Sequence, residues 1–519
     1  MTARQALRAL LAGIAVWAAP PAGAAPAPGG TLRAVEQRRE LRWGADVFGG
    51  APYVFQDPMD PNHLVGFEVE LADALARRLG ARARPVAGAW DKLLDLLARG
   101  DFDVALNGIE VAEEKRRVCL LSRPYYAAGE RLSVRRGDPS APRTLEAVRG
   151  RRVGTLPGSL AQRILERAGA VVVTYDGGQD QIYDDLRLGR TDAVLLDDPI
   201  AHYYADVQPE LETVPGSFGE VRYAVAVRLG DEPLRDAIDE ALAELARTGQ
   251  LRALYRRWGI WNAGTAALLG EPYAARPALS EAWEAWRAAV GRPPSLRERL
   301  LVRYPRTFGL FARAAGLTLL LTLSSMALAM AVGALLAAAR RYGAAPVRWL
   351  AVGAIELIRG TPLLVQLIMI YFGLPELGVK LDPFVAGWLG LGLNYAAAEA
   401  ENYRAGLESV PVGQGEVATT LGLSRLQALR HVIAPQAIRI SVPPMTNDVI
   451  ALLKDSSLVS LVTLTELTKT YSNLAASMRD HLGLGLVVAA WYLLLGLPLA
   501  RLGRLAERRL GRHLRRAAA

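Results

Sequence analysis

The sequence predicts a soluble α/β region folded into two lobes, followed by an all-α membrane region of five helices. Three observations carry this. Strand-like and helix-like segments alternate, in two successive sets, between about Leu41 and Trp261. Long apolar runs fill the C-terminal third. Overall, 51% of the 519 residues are hydrophobic, high for a soluble protein of three or four domains.

The N-terminus reads as a secretory signal over residues 1–25. Arg4 and Arg8 precede the apolar run Ala9–Ala19. That run would reach only ~16 Å as a helix, short of a ~30 Å hydrocarbon core. Ala22-Gly23-Ala24 supplies small residues for cleavage, and Pro20, Pro21, Pro26 and Pro28 stop a helix. The soluble region after this signal is expected outside the cytoplasm.

That region is expected over 40–262. Leu41–Ala45 reads as a strand, and Glu68–Leu79 places Val69, Leu71, Ala72, Leu75 and Leu79 at helical spacing. Asp91–Arg99 is a second helix, and Phe102, Val104 and Leu106 alternate as a strand does. A second set comes next in the chain: strand Arg152–Thr155, helix Leu160–Ala168, strand Val171–Thr174, helix Asp180–Leu188 and strand Asp192–Leu196. Two such sets predict two parallel-sheet lobes, with a ligand in the cleft beyond their strand ends.

Residues 263–304 form a linker with Trp283, Trp286, Pro293 and Pro294, suited to a short amphipathic helix on a membrane surface. The membrane region is expected over 305–510. Its spans are Gly316–Ala339, Val347–Leu374, Phe384–Ala400, Ile438–Leu464 and Leu484–Leu502. An odd number starting outside ends inside. That places Arg340-Arg341, the loop Gly413–Arg439 and the arginine-rich tail Arg501–Arg516 on the cytoplasmic side, as positive charge prefers.

The net charge of +9 is accounted for by those arginines. No aromatic-interleaved basic patch or zinc spacing appears, so no nucleic acid is expected. Cys119 is the single cysteine, which excludes an intrachain disulfide and a thiol metal cluster. No metal site and no catalytic residues are assigned. No G-x-x-x-x-G-K-[ST] loop occurs, so ATP hydrolysis by that route belongs to another chain. Glu356, Arg359, Asn394, Glu401, Arg404, Lys454 and Asp455 lie at or near membrane depth, and Glu356–Arg359 is an i,i+3 pair. Charges there are costly and either line a pathway or tie helices together. Glu356, Arg359, Glu401 and Lys454 are the pore candidates.

Three blocks stand out among these residues: Glu356–Gln366 followed by Tyr371–Pro375; Ser409–Gln414 leading into Glu416–Ser424; and Leu452–Leu458. With them, Gly309–Leu510 resembles the permease subunits of polar amino-acid ABC importers of the histidine/glutamine/arginine type. The middle block looks like the family's coupling loop, here 413–435, with Glu416, Ala418, Gly422 and Pro435 in the pattern. Val417 and Ala434 replace its first alanine and its leucine, and Ala398 stands where the family has tyrosine. Physically, Glu416–Leu421 can form a short helix, Gly422 a turn and Arg425–Ile433 a second helix, giving a knob for an ATPase groove.

Leu64–Ala72, Trp90-Asp91, Arg99–Val104, Ser122–Tyr126, Asp192–Asp197 and Leu254–Gly259 make the soluble region similar to the solute-binding proteins of the same transporters. This implies the two-lobed periplasmic binding-protein fold. It also implies that Asp197 pairs a ligand ammonium and that Gly158-Ser159 opens a helix whose free N–H groups hold a carboxylate. Asp46, Tyr53, Trp90 and Asn107 would line the first lobe. Where the family presents Thr-x-Thr-x-x-Arg, this chain has Glu110, Ala112 and Lys115. Lysine lacks the planar fork of arginine, and Glu110 adds an anion. A cationic or atypical amino-acid-like solute is expected; alternatively, Glu110 pairs with Lys115 or a neighbouring arginine.

The resemblance implies a non-enzymatic subunit of an ATP-driven importer in a bacterial inner membrane, its binding domain on the periplasmic side. It implies a homodimer working with a separate ATP-binding cassette subunit, which carries the ATP and Mg; no cofactor is expected in this chain. A ligand-gated channel or a receptor built on the same lobes is the alternative. A channel would interrupt the lobes with its pore and carry a filter such as T-V-G-Y-G. An enzyme on this fold would need Glu110 or Glu68 as its acid or base.

Overall fold

A computed structural model describes residues 29–46, 50–175, 178–273, 280–291 and 294–517, with side chains described as far as Arg509. The expected signal at 1–25 lies outside the described residues. The chain divides into two compact units. One comprises Ala22–Phe308 with Ser472–Leu484, the other Gly309–Tyr471 with Gly485–Ala519.

The first unit holds both lobes. In the first lobe a five-stranded sheet runs in the order Arg82–Ala87, Glu40–Ala45, Val104–Ala105, Ala226–Val227, Leu120–Leu121. The first three strands are parallel and the last two are antiparallel to their neighbours. The second lobe orders Leu211–Thr213, Tyr126–Arg135, Ala193–Asp197, Arg152–Thr155 and Val171–Thr174, with Phe218–Tyr223 also paired to Tyr126–Arg135. Ala193-Val194-Leu195-Leu196 is buried throughout, as a central strand covered on both faces must be. Helix Phe67–Arg78 turns Phe67, Leu71, Ala72 and Leu75 inward, in keeping with its helical period. Gly44 admits the Phe102 ring, whose Cζ would lie 2.2 Å from any Cβ added there.

The chain crosses between the lobes twice, and the two crossings pair. Tyr125 N donates to Tyr223 O at 2.9 Å, and Ala224 N to Ile109 O at 3.0 Å. The rings of Tyr126 and Tyr223 stack at 5.8 Å.

Strand Arg152–Thr155, helix Leu160–Ala168 and strand Val171–Thr174 coincide with their sequence reading. The strand read around Phe102–Leu106 shrinks to Val104–Ala105, and the side chain of Asp103 ties it to the neighbouring strand and helix. Its carboxylate accepts from Arg42 N and Arg38 Nη2, each at 2.8 Å.

The linker helix differs from expectation. Glu281–Val290 packs on the binding lobes rather than lying free for a membrane surface. Trp286 is 3% exposed, 5.1 Å from the Phe55 ring, and its Nε1 donates to Tyr203 O at 2.8 Å. A buried indole needs apolar walls and one acceptor, and the lobes supply both.

The helices Leu296–Tyr342 and His481–Arg509, most of whose residues belong to the second unit, are each long and apolar enough to cross a membrane. A third crossing is made if Ala345–Gly360 and Leu363–Leu377 count together, although they bend by 104°. Of the five expected spans, these are the ones that length and composition support among the described residues. Val347–Leu374 is broken at Thr361-Pro362. Proline drives the preceding residue out of helical geometry, and Thr361 sits at φ −109°, ψ 133°. Gln366 Nε2 then caps the freed backbone, donating to Ile358 O at 2.8 Å and to Thr361 O at 3.2 Å. The span read as Ile438–Leu464 is helix Ala434–Asp455 followed by the 3₁₀ turn Ser456–Val462. Helix Pro383–Glu408 is long but less apolar. Its Gly387, Gly390 and Gly392 let Val459, Leu367 and Leu328 approach closely, the usual role of small residues between membrane helices.

Candidate ligand cleft and partner-facing loop

Both lobes open onto one cleft, with Asp46, Tyr53, Trp90 and Asn107 on the first lobe's side and Ser159 and Asp197 on the second's. A frame of hydrogen bonds holds the first-lobe group. Asp46 N donates to Asn107 Oδ1 at 2.6 Å, and Trp90 N to Asp46 Oδ2 at 2.9 Å. Trp90 Nε1 donates to Asn107 O at 2.9 Å.

Asp197 ends its strand and precedes helix Asp198–Tyr204. Its Oδ2 accepts from the hydroxyls of Tyr53 and Tyr223, which lie 3.1 Å from each other. Its Oδ1 is buried with no hydrogen-bond partner. Burial pushes the carboxyl up to about 6, although both phenol donors pull it down.

Directly across the ladder stands Glu130, the register partner of Asp197. Residues so paired hold their Cβ atoms ~4.5–5.5 Å apart, and like charges there repel. Glu130 is 2% exposed and its Oε2 has no partner. Burial first, then the charges of Asp197 and Glu110, hold it well above the usual carboxylate range. Two carboxyl groups, each with a buried oxygen lacking a partner, thus stand side by side in one cleft.

Glu68 is also buried, beneath the first-lobe wall. Its Oε1 accepts from Gly108 N at 2.8 Å and from the Tyr125 hydroxyl. Burial pushes it up to about 8 against those two bonds.

The helix opening at Gly158-Ser159 already receives a carboxylate and a cap from the protein itself. Ser159 Oγ caps its own helix, accepting from Gln162 N at 3.1 Å, and Gly158 N donates to Gln162 Oε1 at 2.7 Å. Leu160 N donates to Glu110 Oε1 at 2.8 Å. Arg163 Nη2 lies 3.0 Å from Glu110 Oε2, so Glu110 meets the neighbouring arginine that was the alternative. Gly158 and Lys115 lie outside the cleft lining. Lys115 Nζ sits 4.0 Å from Glu110 and 4.9 Å from the Trp90 ring centroid, and burial lowers its pKa.

The sequence reading missed Glu130, Tyr223 and Arg163. The signal for Glu130 was faint: one acid directly after the stretch Tyr126–Gly129, with its partner 67 positions away. Only the strand register brings it to Asp197.

In the second unit the loop 413–435 forms two helical pieces. Helix Val412–Thr420 contains Glu416, exposed, and Ala418, 2% exposed. Gly422 turns the chain at φ +82°, a conformation suited to glycine, and its N donates to Thr419 O at 3.0 Å. Ser424 and Gln427 then close a capping box on the second piece. Pro435 lies in the first turn of helix Ala434–Asp455, where a missing N–H is tolerated. Val417, Leu421 and Leu426 are all largely exposed on this knob.

Among the pore candidates, Glu356 and Arg359 pair with each other at 3.8 Å and both are more than half exposed. Glu401 pairs with Arg340 and, at 2.8 Å, with Arg404. Lys454 is exposed beside Asp455, which accepts from the Tyr395 hydroxyl at 2.7 Å.

Residues 45–260 match the bacterial extracellular solute-binding proteins, family 3. Residues 329–512 match the binding-protein-dependent transport system inner membrane component. The chain is 37% identical over 198 residues to the L-cystine transport system permease protein of Bacillus subtilis, covering 38% of this chain and 85% of that one. It is 33% identical over 232 residues to the L-cystine-binding protein of Escherichia coli, covering 44% and 86%. The glutamine transport system permease protein of Escherichia coli is 35% identical over 203 residues, covering 39% and 93%. A solved arginine-binding protein of T. maritima is 30% identical, covering 44% of this chain and 98% of its own, with a TM-score of 0.41.

Proposed function

We infer the role of this chain from its family: it belongs to the amino-acid ABC transporters, with a solute-binding domain and a permease domain joined in one polypeptide. We propose that the cleft captures a small cationic amino compound outside the cell and delivers it to a pore built by the second unit. The observation that carries this is the Glu130–Asp197 pair, two carboxyl groups in direct register with an unpaired oxygen each. A ligand ammonium or guanidinium between them relieves their repulsion and supplies the missing donors.

The energy comes from ATP hydrolysed on a separate ATP-binding subunit, which grips the loop 413–435. Exposed Val417, Leu421 and Leu426 support this, because apolar side chains on a rigid helical knob suit a protein groove. Two copies of the chain, each with such a subunit, form the pore, and each pore carries two tethered receptors. Tethering replaces diffusional capture by a high local receptor concentration. The binding unit faces the periplasm, and the arginine-rich end of the last helix faces the cytoplasm.

Calorimetry on the purified full-length protein in lipid nanodiscs tests the binding step with basic, neutral and acidic amino acids. Basic compounds are expected to bind most tightly; a preference for glutamate refutes the cationic reading. Proteoliposomes containing the chain, its ATP-binding subunit and ATP are expected to accumulate the bound solute. Accumulation without ATP would support the channel alternative.

A further inference from the structure

An amino acid presents two charged ends, and this cleft is furnished for one. Its lining includes Asp46, Asp91, Glu110, Glu130 and Asp197 and, among the described residues, no lysine, arginine or histidine. Three of the backbone donors around the helix opening are engaged by the protein itself. Leu160 N is on Glu110 at 2.8 Å, Gln162 N on Ser159 Oγ at 3.1 Å, and Gly158 N on Gln162 at 2.7 Å. The guanidinium beside them, Arg163, is on Glu110 at 3.0 Å. Glu110 comes from the first lobe and is 5% exposed, so a carboxylate of the protein's own bridges the cleft to the second lobe's helix. The same lobe also carries an unsatisfied acid: Glu130 Oε2 is buried, lines the cleft with the other acids and has no hydrogen-bond partner.

Resting on the cationic reading above, we propose that Glu110 stands in the place of a ligand carboxylate, so that the cleft selects a small primary amine or guanidine carrying no carboxylate. The cation seats between Glu130 and Asp197, its alkyl chain lies along Tyr53 and Trp90, and its far end meets Glu110 without repulsion. A free amino acid would bring its carboxylate against Glu110 with Leu160 N already taken. Selectivity then comes from a built-in repulsion as much as from attraction.

Full-length protein in lipid nanodiscs is titrated calorimetrically with two pairs: agmatine against arginine, and cadaverine against lysine. Each decarboxylated compound is expected to bind at least ~10-fold more tightly than its parent. Glu110→Thr frees Leu160 N and Arg163, and is expected to tighten arginine by ~10-fold while removing the preference for agmatine. Glu110→Gln keeps an acceptor for Leu160 N and removes the charge; it should shift the preference the same way should the threonine variant misfold. A purely structural Glu110 would weaken both members of a pair alike in these variants, which overturns the proposal. Arginine binding the wild type as tightly as agmatine also overturns it and leaves the cationic reading standing. Binding of none of the four removes both.

Discussion

Acidification should weaken cation binding to the cleft, with Asp197 setting the slope. In the empty cleft burial raises its carboxyl to about 6. A cation at Oδ1 stabilises the ionised form, so the pKa drops when ligand binds. Affinity then scales with the ionised fraction of the empty site. Relative to pH 8, binding should be ~2-fold weaker at pH 6 and ~11-fold weaker at pH 5, or about 1.4 kcal/mol per further pH unit. The hydroxyls of Tyr53 and Tyr223 do not titrate in this range, since burial holds both well above an ordinary phenol. Glu110 and Asp198 add negative charge that raises Asp197, and Glu130, itself raised, steepens the slope if it also gives up a proton. The assay is calorimetry on the full-length protein between pH 5 and 8, in two buffers of different ionisation enthalpy. Proton release should appear near pH 6 and vanish near pH 8. Asp197→Asn should flatten the profile and cost ~2–5 kcal/mol, the penalty for removing one partner of a buried charge pair. Constant affinity from pH 8 to pH 5, or proton uptake on binding, refutes the reasoning.

Glu68 makes a prediction about stability. Its folded pKa of about 8 lies above the ordinary 4.5, so its contribution is present at low pH and is lost as pH rises through that interval. The upper bound is ~5 kcal/mol across the window. Glu68→Gln keeps the acceptor for Gly108 N and Tyr125, so its thermal midpoint, read by tryptophan fluorescence, should exceed wild type at pH 9 and approach it at pH 5. Gly66→Ala should weaken both fold and binding: at φ +143° an added Cβ would meet Tyr53 O at 1.9 Å, a backbone atom beside the cleft. A loss of ~1–3 kcal/mol in stability is expected, with a measurable rise in ligand Kd. Gly422→Ala places a side chain at φ +82° and should distort the knob at ~1–2 kcal/mol. Ligand binding should be unchanged and ligand-stimulated ATP hydrolysis by the assembled transporter should fall; an equal fall in binding would argue against a coupling role for this loop.

Some of this was legible locally. Leu160–Ala168 declares itself by helical period and by the Gly158-Ser159 start, and the structure returns the same bounds. The helix–Gly422–helix knob comes from a glycine between two helix-forming stretches. Asp197 was recognisable at a strand end, because the strand before it is an unbroken apolar run. The break at Thr361-Pro362 was equally local, yet the long apolar run around it suggested one continuous span. Composition reports whether a segment prefers a membrane, while proline reports whether its backbone continues.

Chain chemistry within about a dozen residues thus determined the two lobes, the apolar helices, the knob and the acid at the strand end, since periodicity, turn residues and apolar length act over that range. Tertiary structure alone decided that Glu130 faces Asp197, that Glu110 occupies the helix opening 50 residues further on, and that Trp286 docks against Tyr203. Strand register and lobe closure are set by packing the whole core, so residues remote in sequence become neighbours only when every layer is in place.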